Sequence, residues 1–287
     1  MRIVNSTWIL EERFGLTEGV RMLCEAGFEG IDFCMCSGLD RPIYQESFRE
    51  TIRAVRDIAG SYGAVFSQTH GPIPKYQLDD RRGREEFLTA ALHSVEATAE
   101  LGAPHVVLHP MRVARGTHAE QLEINLTEYA PILDAARKCG VKLAFENMCN
   151  FKVNEAGEPV AHVCKSPEEH ARYIDAFGNG VIACLDTGHA VLSSEEPCEF
   201  VRTLGSRLGA LHVHDNGGTR DDHTVPYNMS IKFDPFIAAL ADIGYSGDIT
   251  LECNYFIKPP YPSELCAAAL RYMAAVADYI RKGAMKK

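Results

Sequence analysis

The apolar residues of the chain alternate between two periods, and this alternation most constrains how the chain folds. Eight short apolar runs typical of buried strands occur near residues 2–8, 29–34, 64–69, 104–109, 141–146, 181–186, 209–214 and 248–252. Eight segments with a helical period follow them, near residues 16–26, 45–62, 82–101, 119–139, 167–177, 198–207, 234–243 and 263–282. Strict eightfold alternation is typical of a (β/α)8 TIM barrel, although an open sheet can have the same alternation.

No change in composition and no Pro/Gly/Ser-rich linker divides the chain of 287 residues. Barrels of this kind commonly reach this length as a single domain. We therefore predict an α/β protein in which residues 1–287 form one (β/α)8 TIM barrel domain.

Signals at the ends of the predicted helices support this organisation. Ser166-Pro167-Glu168-Glu169 has the pattern of a capping box with proline at the first helical position, and Asp234-Pro235 repeats the cap-then-proline pattern. Five glycines lie between a helical segment and the next strand: Gly27, Gly63, Gly102, Gly140 and Gly178. The longest segments without a period, 71–80, 147–165, 215–233 and 253–262, all follow strands. Long loops are thus expected at the C-terminal rim, where barrel active sites lie.

Ionisable residues stand where four apolar runs end. These are Glu146 in KLAFEN, Asp186 in VIACLD, His212 in ALHVH and Glu252 in DITLEC. Burying a charged residue at the end of a strand of a parallel sheet is costly unless the residue has a use there. Successive members lie 40, 26 and 40 residues apart, enough for a loop, a helix and a return strand. Four consecutive β/α units would therefore bring them to one rim.

Neighbouring carboxylates repel one another unless a cation lies between them, so this group predicts a metal site. Three carboxylates and one imidazole suit Mn²⁺, Mg²⁺, Co²⁺ or Zn²⁺. A closed structural zinc site would instead use mostly cysteine and histidine. Open coordination positions would remain for the oxygens of a substrate.

Five further residues are expected at the same rim, as substrate contacts or additional metal ligands: His70, His109, His189, Asp221 and His223. A single histidine is more often a satisfied polar residue than a ligand, but five such residues near strand ends favour a site. The other histidines fall in predicted helices, at a strand start or in loops, and are left out: His93, His105, His118, His162 and His170.

The formal net charge of −10 has the wrong sign for a protein that wraps a polyanion over a large surface. Nucleic acid is therefore an unfavoured partner. Two clusters of basic residues, Arg81, Arg82 and Arg84, and Arg112 and Arg115, are interpreted as a solvated helix start and an exposed loop.

No apolar run reaches the roughly 18 residues of a membrane span, and Glu11, Glu12 and Arg13 interrupt the first one before a signal-peptide core forms. The ten cysteines lack paired zinc-finger spacing and suggest reduced thiols in a cytoplasmic protein. Trp8, the only tryptophan, is placed at the end of the first strand, where core packing is favoured over stacking on a sugar. Formation of a homo-oligomer is left open.

The motifs as a set resemble those of a known superfamily. They are Glu146-Asn147, Cys184-Leu185-Asp186-Thr187-Gly188-His189, His212-Val213-His214-Asp215 and Glu252. Together with the eight β/α units they resemble the xylose-isomerase-like TIM barrels, which include sugar isomerases, ketose 3-epimerases, inosose dehydratases and zinc-dependent apurinic endonucleases. The resemblance covers essentially the whole chain.

Resemblance to the epimerases implies that Glu146, Asp186, His212 and Glu252 bind one metal ion. It also implies that the two glutamates act as acid and base and that His189 contacts substrate. The epimerases carry a substrate-binding arginine six residues after the histidine ligand, where this chain has Gly218, and Arg220 is the nearest candidate to replace it.

Resemblance to the apurinic endonucleases implies three zinc ions, because all nine candidate residues match that family's ligands. Two motifs depart from that family. Met148-Cys149-Asn150 follows the Glu-Asn pair in place of a Thr-Ala-Gly stretch, and Gly188 replaces the usual cysteine.

The sequence thus favours a metal-dependent sugar or sugar-phosphate isomerase or epimerase that transfers a proton through an enediolate. The alternatives are a zinc-dependent phosphodiesterase of the apurinic endonuclease type, an inosose-type dehydratase, and a binding protein with a structural metal. The identity of the sugar and of the metal is left open.

Overall fold

The computed structural model describes residues 1–36, 42–45, 47–75, 78–111, 117–149 and 163–286. Its eight strands, each overlapping its predicted segment, are β1 (Ile3–Ser6), β2 (Gly30–Cys34), β3 (Val65–His70), β4 (His105–Leu108), β5 (Lys142–Glu146), β6 (Val181–Asp186), β7 (Leu208–His212) and β8 (Ile249–Leu251). The paired strands are parallel, in the order β7-β6-β5-β4-β3-β2-β1-β8.

The two edge strands of this sheet, β7 and β8, meet just beyond their ends. The amide of Val213 donates to the carbonyl of Thr250 at 2.8 Å, and the amide of Glu252 donates to the carbonyl of Val213 at 3.2 Å. These bonds bring the first and last strands of the order together, so the sheet curves into a barrel. The predicted (β/α)8 TIM barrel is confirmed, and the open sheet is excluded.

Ten α-helices lie in the described residues. They are α1 (Trp8–Phe14), α2 (Leu16–Glu25), α3 (Phe48–Ser61), α4 (Arg81–Leu101), α5 (His118–Cys139), α6 (Pro167–Phe177), α7 (Thr187–Leu192), α8 (Pro197–Leu204), α9 (Phe233–Asp242) and α10 (Cys266–Ala284). Eight of them occupy the predicted helical segments. Helices α1 and α7 are additional short helices at the C-terminal ends of β1 and β6.

The predicted position of Trp8 at the end of a strand was wrong, because β1 ends at Ser6 and Trp8 begins α1. Three consecutive apolar residues, Trp8 to Leu10, are compatible with either structure. Helix α1 forms because it buries Ile9 and Leu10, and Gly15, with φ of 81°, separates it from α2.

The predicted helix caps have mixed outcomes. Ser166 caps α6 as predicted, since its side chain accepts the amide hydrogen of Glu169 at 3.3 Å. The predicted Asp234 cap was wrong, because α9 begins at Phe233 and so includes Asp234, whose carboxylate accepts a hydrogen bond from Tyr227 at 3.1 Å. The five predicted glycines all have positive φ, and Gly102 and Gly140 end α4 and α5 in the left-handed conformation.

The main hydrophobic core lies between the sheet and the surrounding helices. A smaller cluster contains one residue from each of the strands β4 to β7, namely Val107, Ala144, Cys184 and Ala210. Several buried side chains of the strands are polar, among them Asp32, Gln68, His105 and Thr250. Among the described residues, no helix combines the length and the apolar character that a membrane crossing requires.

The buried His170 of α6 predicts a loss of stability in acid. Its Nε2 donates to the carbonyl of Phe145 at 2.9 Å, and burial lowers its pKa to about 4. An unfolded histidine titrates near pH 6.5, so between these values the unfolded chain binds more protons and stability falls as pH falls. From pH 7.5 to 5 this histidine should cost about 2 kcal/mol of unfolding free energy. The measurement is urea unfolding of the wild type and of His170→Gln, which keeps a hydrogen-bond donor. The unfolding free energy of the wild type should fall by about 2 kcal/mol more than that of the variant from pH 7.5 to 5. An equal fall in both proteins would contradict the prediction.

Candidate functional site

Four strand ends converge at one rim of the barrel. Glu146, Asp186 and His212 are the last residues of β5, β6 and β7, and Glu252 directly follows β8. Each offers one donor atom, and the four atoms lie within 4.8 Å of one another. All four side chains are buried. The expected convergence is therefore observed, while the role of these residues as ligands stays a prediction.

Glu146 has the most contacts with imidazoles in this group. Its Oε2 lies 3.0 Å from Nδ1 of His212 and 3.4 Å from Nε2 of His109, and its Oε1 lies 3.1 Å from Nδ1 of His189. Burial raises the pKa of Glu146, but attraction to His212 and His109 outweighs burial and holds that pKa well below its usual value. Glu146 is thus an ionised carboxylate, the form that binds a cation or accepts a proton.

One ring nitrogen of His212 lies close to two carboxylates. Its Nδ1 is 3.0 Å from Oε2 of Glu146 and 3.4 Å from Oε2 of Glu252. Burial lowers the pKa of His212, but the neighbouring Cys184 thiol and the two carboxylates raise it well above its usual value. A cation bound here would replace the proton that His212 shares with these carboxylates.

Asp186 is held in place from two sides. Its Oδ1 accepts the amide hydrogen of His189 at 2.7 Å, which caps α7. Its amide donates to Oδ1 of Asn147 at 2.6 Å, and Nδ2 of Asn147 donates to its carbonyl at 3.0 Å. Asn147 therefore ties the end of β5 to the end of β6, which explains why an asparagine follows Glu146.

The outer five candidates surround this group in two sets. His70 and His109 approach Glu146, with Nε2 at 3.7 Å and 3.4 Å from its Oε2. On the other side, Nε2 of His223 lies 2.8 Å from Oδ2 of Asp221, and Nε2 of His189 lies 3.8 Å from the same oxygen. All nine sequence-predicted residues thus occupy one region of the rim.

The pair formed by Asp221 and His223 is strongly polarised. Burial lowers the pKa of His223, but the hydrogen bond and charge of Asp221 raise it to about 9. Burial raises the pKa of Asp221, while its bonds to His189 and His223 lower it below its usual range. Nδ1 of His223 donates to the carbonyl of Glu252 at 2.8 Å, so this pair is connected to the first group.

His214 was missed as a site residue, although it lies two positions after His212 in the quoted motif. In extended backbone, residues two positions apart point to the same face. The spacing of His212 and His214 could therefore have identified His214 from the sequence. Nε2 of His214 is 3.0 Å from both carboxylate oxygens of Asp186. A Cβ at Gly188 would lie 2.0 Å from Cε1 of His214. Glycine at position 188 therefore makes room for the imidazole that braces Asp186.

The imidazole of His214 also stacks on His223, with ring centroids 4.0 Å apart and planes at 18°. The donor atoms of His214, Asp221 and His223 lie within 4.8 Å of one another. Stacked rings direct their in-plane nitrogen lone pairs along parallel lines, which suits hydrogen bonding better than joint coordination of one ion. We interpret His214 as a support for Asp186.

An aromatic wall borders the pair Asp221 and His223. Trp8 and Tyr255 lie with ring centroids 5.0 Å apart, and each contacts His223, at 5.8 Å and 5.0 Å. Nε1 of Trp8 donates to Glu12 at 3.2 Å. Trp8 also packs against the hydrophobic core, in agreement with the favoured interpretation from the sequence.

Arg220, the nearest candidate for the substrate-binding arginine that the resemblance implies, is exposed and paired with an aspartate. Its Nε donates to Oδ1 of Asp222 at 2.6 Å, and its side chain is 84% exposed. Gly218, at the position of that arginine, has φ of 78°.

The first basic cluster is neutralised by neighbouring acids. Arg81 and Arg82 pair with glutamates one helical turn further along α4, at 2.9 Å and 2.8 Å, and Arg84 pairs with Glu128 of α5. This agrees with the interpretation as a solvated helix start. Arg112 and Arg115 lie outside the described residues.

The central donor set fits a divalent cation. Three buried carboxylates and one imidazole supply hard oxygen ligands and a nitrogen ligand, the mixture that Mn²⁺, Mg²⁺, Co²⁺ and Zn²⁺ accept. Burying three carboxylates so close together is costly without compensating positive charge. Both the geometry and the charge therefore match a bound cation.

Comparison with known proteins places the chain in a family. A protein of Methanocaldococcus jannaschii described as uncharacterised is 27% identical over 265 residues, covering 86% of this chain and 85% of the relative. Fructoselysine 3-epimerase of Shigella flexneri is 21% identical over 253 residues, covering 84% and 86%. A solved D-tagatose 3-epimerase-like protein shares the fold with a TM-score of 0.76 and 22% identity, covering 99% of this chain and 97% of its own. The family model for the xylose isomerase-like TIM barrel matches residues 20–276, and the chain therefore belongs to that family.

Proposed function

We propose that this protein is a metal-dependent sugar isomerase or epimerase that moves a proton through an enediolate. The observation that carries the proposal is the approach of two glutamates, Glu146 and Glu252, to the same atom, Nδ1 of His212, at 3.0 Å and 3.4 Å. The epimerase names of the relatives described above support the same reaction class.

In this proposal the four residues at the strand ends hold one divalent cation, Mn²⁺, Zn²⁺, Mg²⁺ or Co²⁺. The cation, when bound, supplies Lewis acidity toward a carbonyl and an adjacent hydroxyl and so acidifies the intervening C–H bond. Asp186 serves only as a ligand, because His214 and the amide of His189 fix its carboxylate on its other sides.

Glu146 and Glu252 carry the proton transfers. Glu146 is present as the carboxylate, the form that a general base needs, because its histidine neighbours keep it ionised. If one glutamate removes the proton and the other returns it from the opposite face, the carbon is inverted. If one glutamate returns the proton to the neighbouring carbon, the product is the aldose or ketose isomer. A dehydratase shares the first step and then releases hydroxide.

His189 and the aromatic wall would orient the sugar. Burial lowers the pKa of His189, but Asp186, Asp221 and Glu146 raise it well above its usual value, so the imidazole is a cationic donor. Such a donor binds a sugar hydroxyl or carbonyl oxygen. The ring of Tyr255, whose centroid lies 5.0 Å from that of His223, would present an apolar surface to one face of a sugar.

A zinc-dependent phosphodiesterase is the second candidate, because all nine donor residues of that resemblance lie together at the rim. Two observations weigh against it. The net charge is −10, and the arginines at the start of α4 are already paired with glutamates.

Exchange with solvent hydrogen tests the proposed chemistry. A panel of ketoses and ketose phosphates is incubated with the metal-loaded protein in D₂O and followed by proton NMR. The compound that turns over should exchange one hydrogen on a carbon next to the carbonyl, because the proton passes through a glutamate. Turnover without incorporation would indicate an internal hydride shift and remove the glutamates from their acid and base roles.

A second assay separates the two candidate functions. It measures incision of a DNA duplex that contains an abasic site, by the same preparation, at low salt and with added zinc. We expect no incision above that of metal-stripped protein. Rapid zinc-dependent incision that disappears in His109→Ala and His223→Ala would overturn the sugar proposal and support the phosphodiesterase.

A further inference from the structure

One buried carboxylate near the site has no hydrogen-bond partner among the described residues. Asp32 lies on β2, is 0% exposed, and neither of its side-chain oxygens accepts a hydrogen bond. Its Oδ2 is 3.5 Å from Nε2 of His212, just beyond a good hydrogen bond. Such a group is costly to bury, so it needs a role in some state of the protein.

The other neighbour of that nitrogen is an amide. Nε2 of Gln68 lies 3.0 Å from Nε2 of His212. The Oε1 atom of Gln68 accepts a hydrogen bond from Thr250 at 3.3 Å, which turns the NH₂ group of Gln68 toward the imidazole. In this arrangement Nδ1 of His212 bears a proton toward Glu146 at 3.0 Å, and the group of Gln68 nearest Nε2 is an NH₂ group, which is not an acceptor.

A cation at the strand ends requires Nδ1 of His212 to give up its proton. The nitrogen of His212 that faces Glu146 and Glu252 is Nδ1, so binding a cation there uses the lone pair of Nδ1. A neutral imidazole then carries its proton on Nε2. The NH₂ group of Gln68 cannot accept that proton in a hydrogen bond, whereas the carboxylate of Asp32 can.

We propose that Asp32 is a positioning residue for His212: it accepts the Nε2 hydrogen and so presents Nδ1 to the metal. This inference rests on the metal site of the proposed function. A carboxylate paired with the outer nitrogen of a histidine ligand fixes the tautomer and the ring orientation, and losing such a partner commonly costs 10- to 100-fold in metal affinity.

The test measures metal binding and not only turnover. Dissociation constants for Zn²⁺ and Mn²⁺ are determined by calorimetry for the full chain, for Asp32→Ala and for Asp32→Asn. Asp32→Ala should bind both ions about 10- to 100-fold more weakly, and Asp32→Asn should lose less because its amide oxygen still accepts. The matched control is Asp248→Asn, a partly buried aspartate bonded to Ser67 and to Arg2, which should bind metal as the wild type does.

A second variant distinguishes positioning from a merely structural role. Gln68→Glu in the Asp32→Ala background places a carboxylate beside Nε2 of His212 and should restore most of the lost affinity. Long-range ¹H–¹⁵N NMR of the zinc-loaded wild type should report the Nε2–H tautomer of His212. Unchanged affinity in Asp32→Ala, or an Nδ1–H tautomer in the zinc-loaded protein, would overturn the inference. A wild type that binds neither ion would instead overturn the metal site itself.

Discussion

Replacing Glu146 with glutamine should lower kcat by at least about 1,000-fold, because the change removes a proposed base and a proposed ligand together. Glutamine has nearly the shape of glutamate but no charge. His212 and His189 would then lose the carboxylate that lies 3.0 Å and 3.1 Å from their Nδ1 atoms. Metal binding should weaken in parallel, since a neutral amide is a poorer ligand than a carboxylate.

The measurement is steady-state turnover of the sugar identified by deuterium exchange, with bound metal quantified in the same samples. Glu169→Gln is the matched control, since Glu169 is a buried glutamate of α6 that bonds His118 away from the four strand ends. Wild-type kcat in Glu146→Gln would exclude both proposed roles. Equal losses in both variants would indicate a general effect of removing a buried charge.

Removing the metal should abolish turnover and lower the thermal midpoint by several degrees. The carboxylates of Glu146, Asp186 and Glu252 lie together in a buried site, and stripping their cation leaves them to repel one another. An ion at 100 times its dissociation constant stabilises the folded state by about 2.7 kcal/mol, which corresponds to several degrees for a chain of this size.

Elemental analysis of protein purified without chelator identifies the resident ion. The protein is then dialysed against a chelator, and Mn²⁺, Zn²⁺, Mg²⁺ and Co²⁺ are added back one at a time. Activity and thermal midpoint should recover together with the ion that binds best, and Glu252→Gln should show little recovery. Full activity in protein shown to contain no metal would contradict the prediction.

The position of each site residue along its strand explains why some were identified from the sequence and others were not. Glu146, Asp186 and His212 end their strands, so a charged residue closing an apolar run was sufficient to select them. Asp32 lies within β2 and not at its end, and His214 lies just beyond β7, so neither of them closes a strand. Their roles depend on neighbours across the barrel, which a linear pattern does not contain.

The sequence by itself determined the eightfold alternation and the shared rim of the predicted ligands, because periodicity and parallel strand direction are local or repeated properties. Only the tertiary structure decided that β7 meets β8, that α1 and α7 form, and that Gly188 makes room for His214. These features depend on contacts between segments that are distant in the chain. The same applies to Asp32, whose unpaired oxygens are apparent only when β2 lies beside His212.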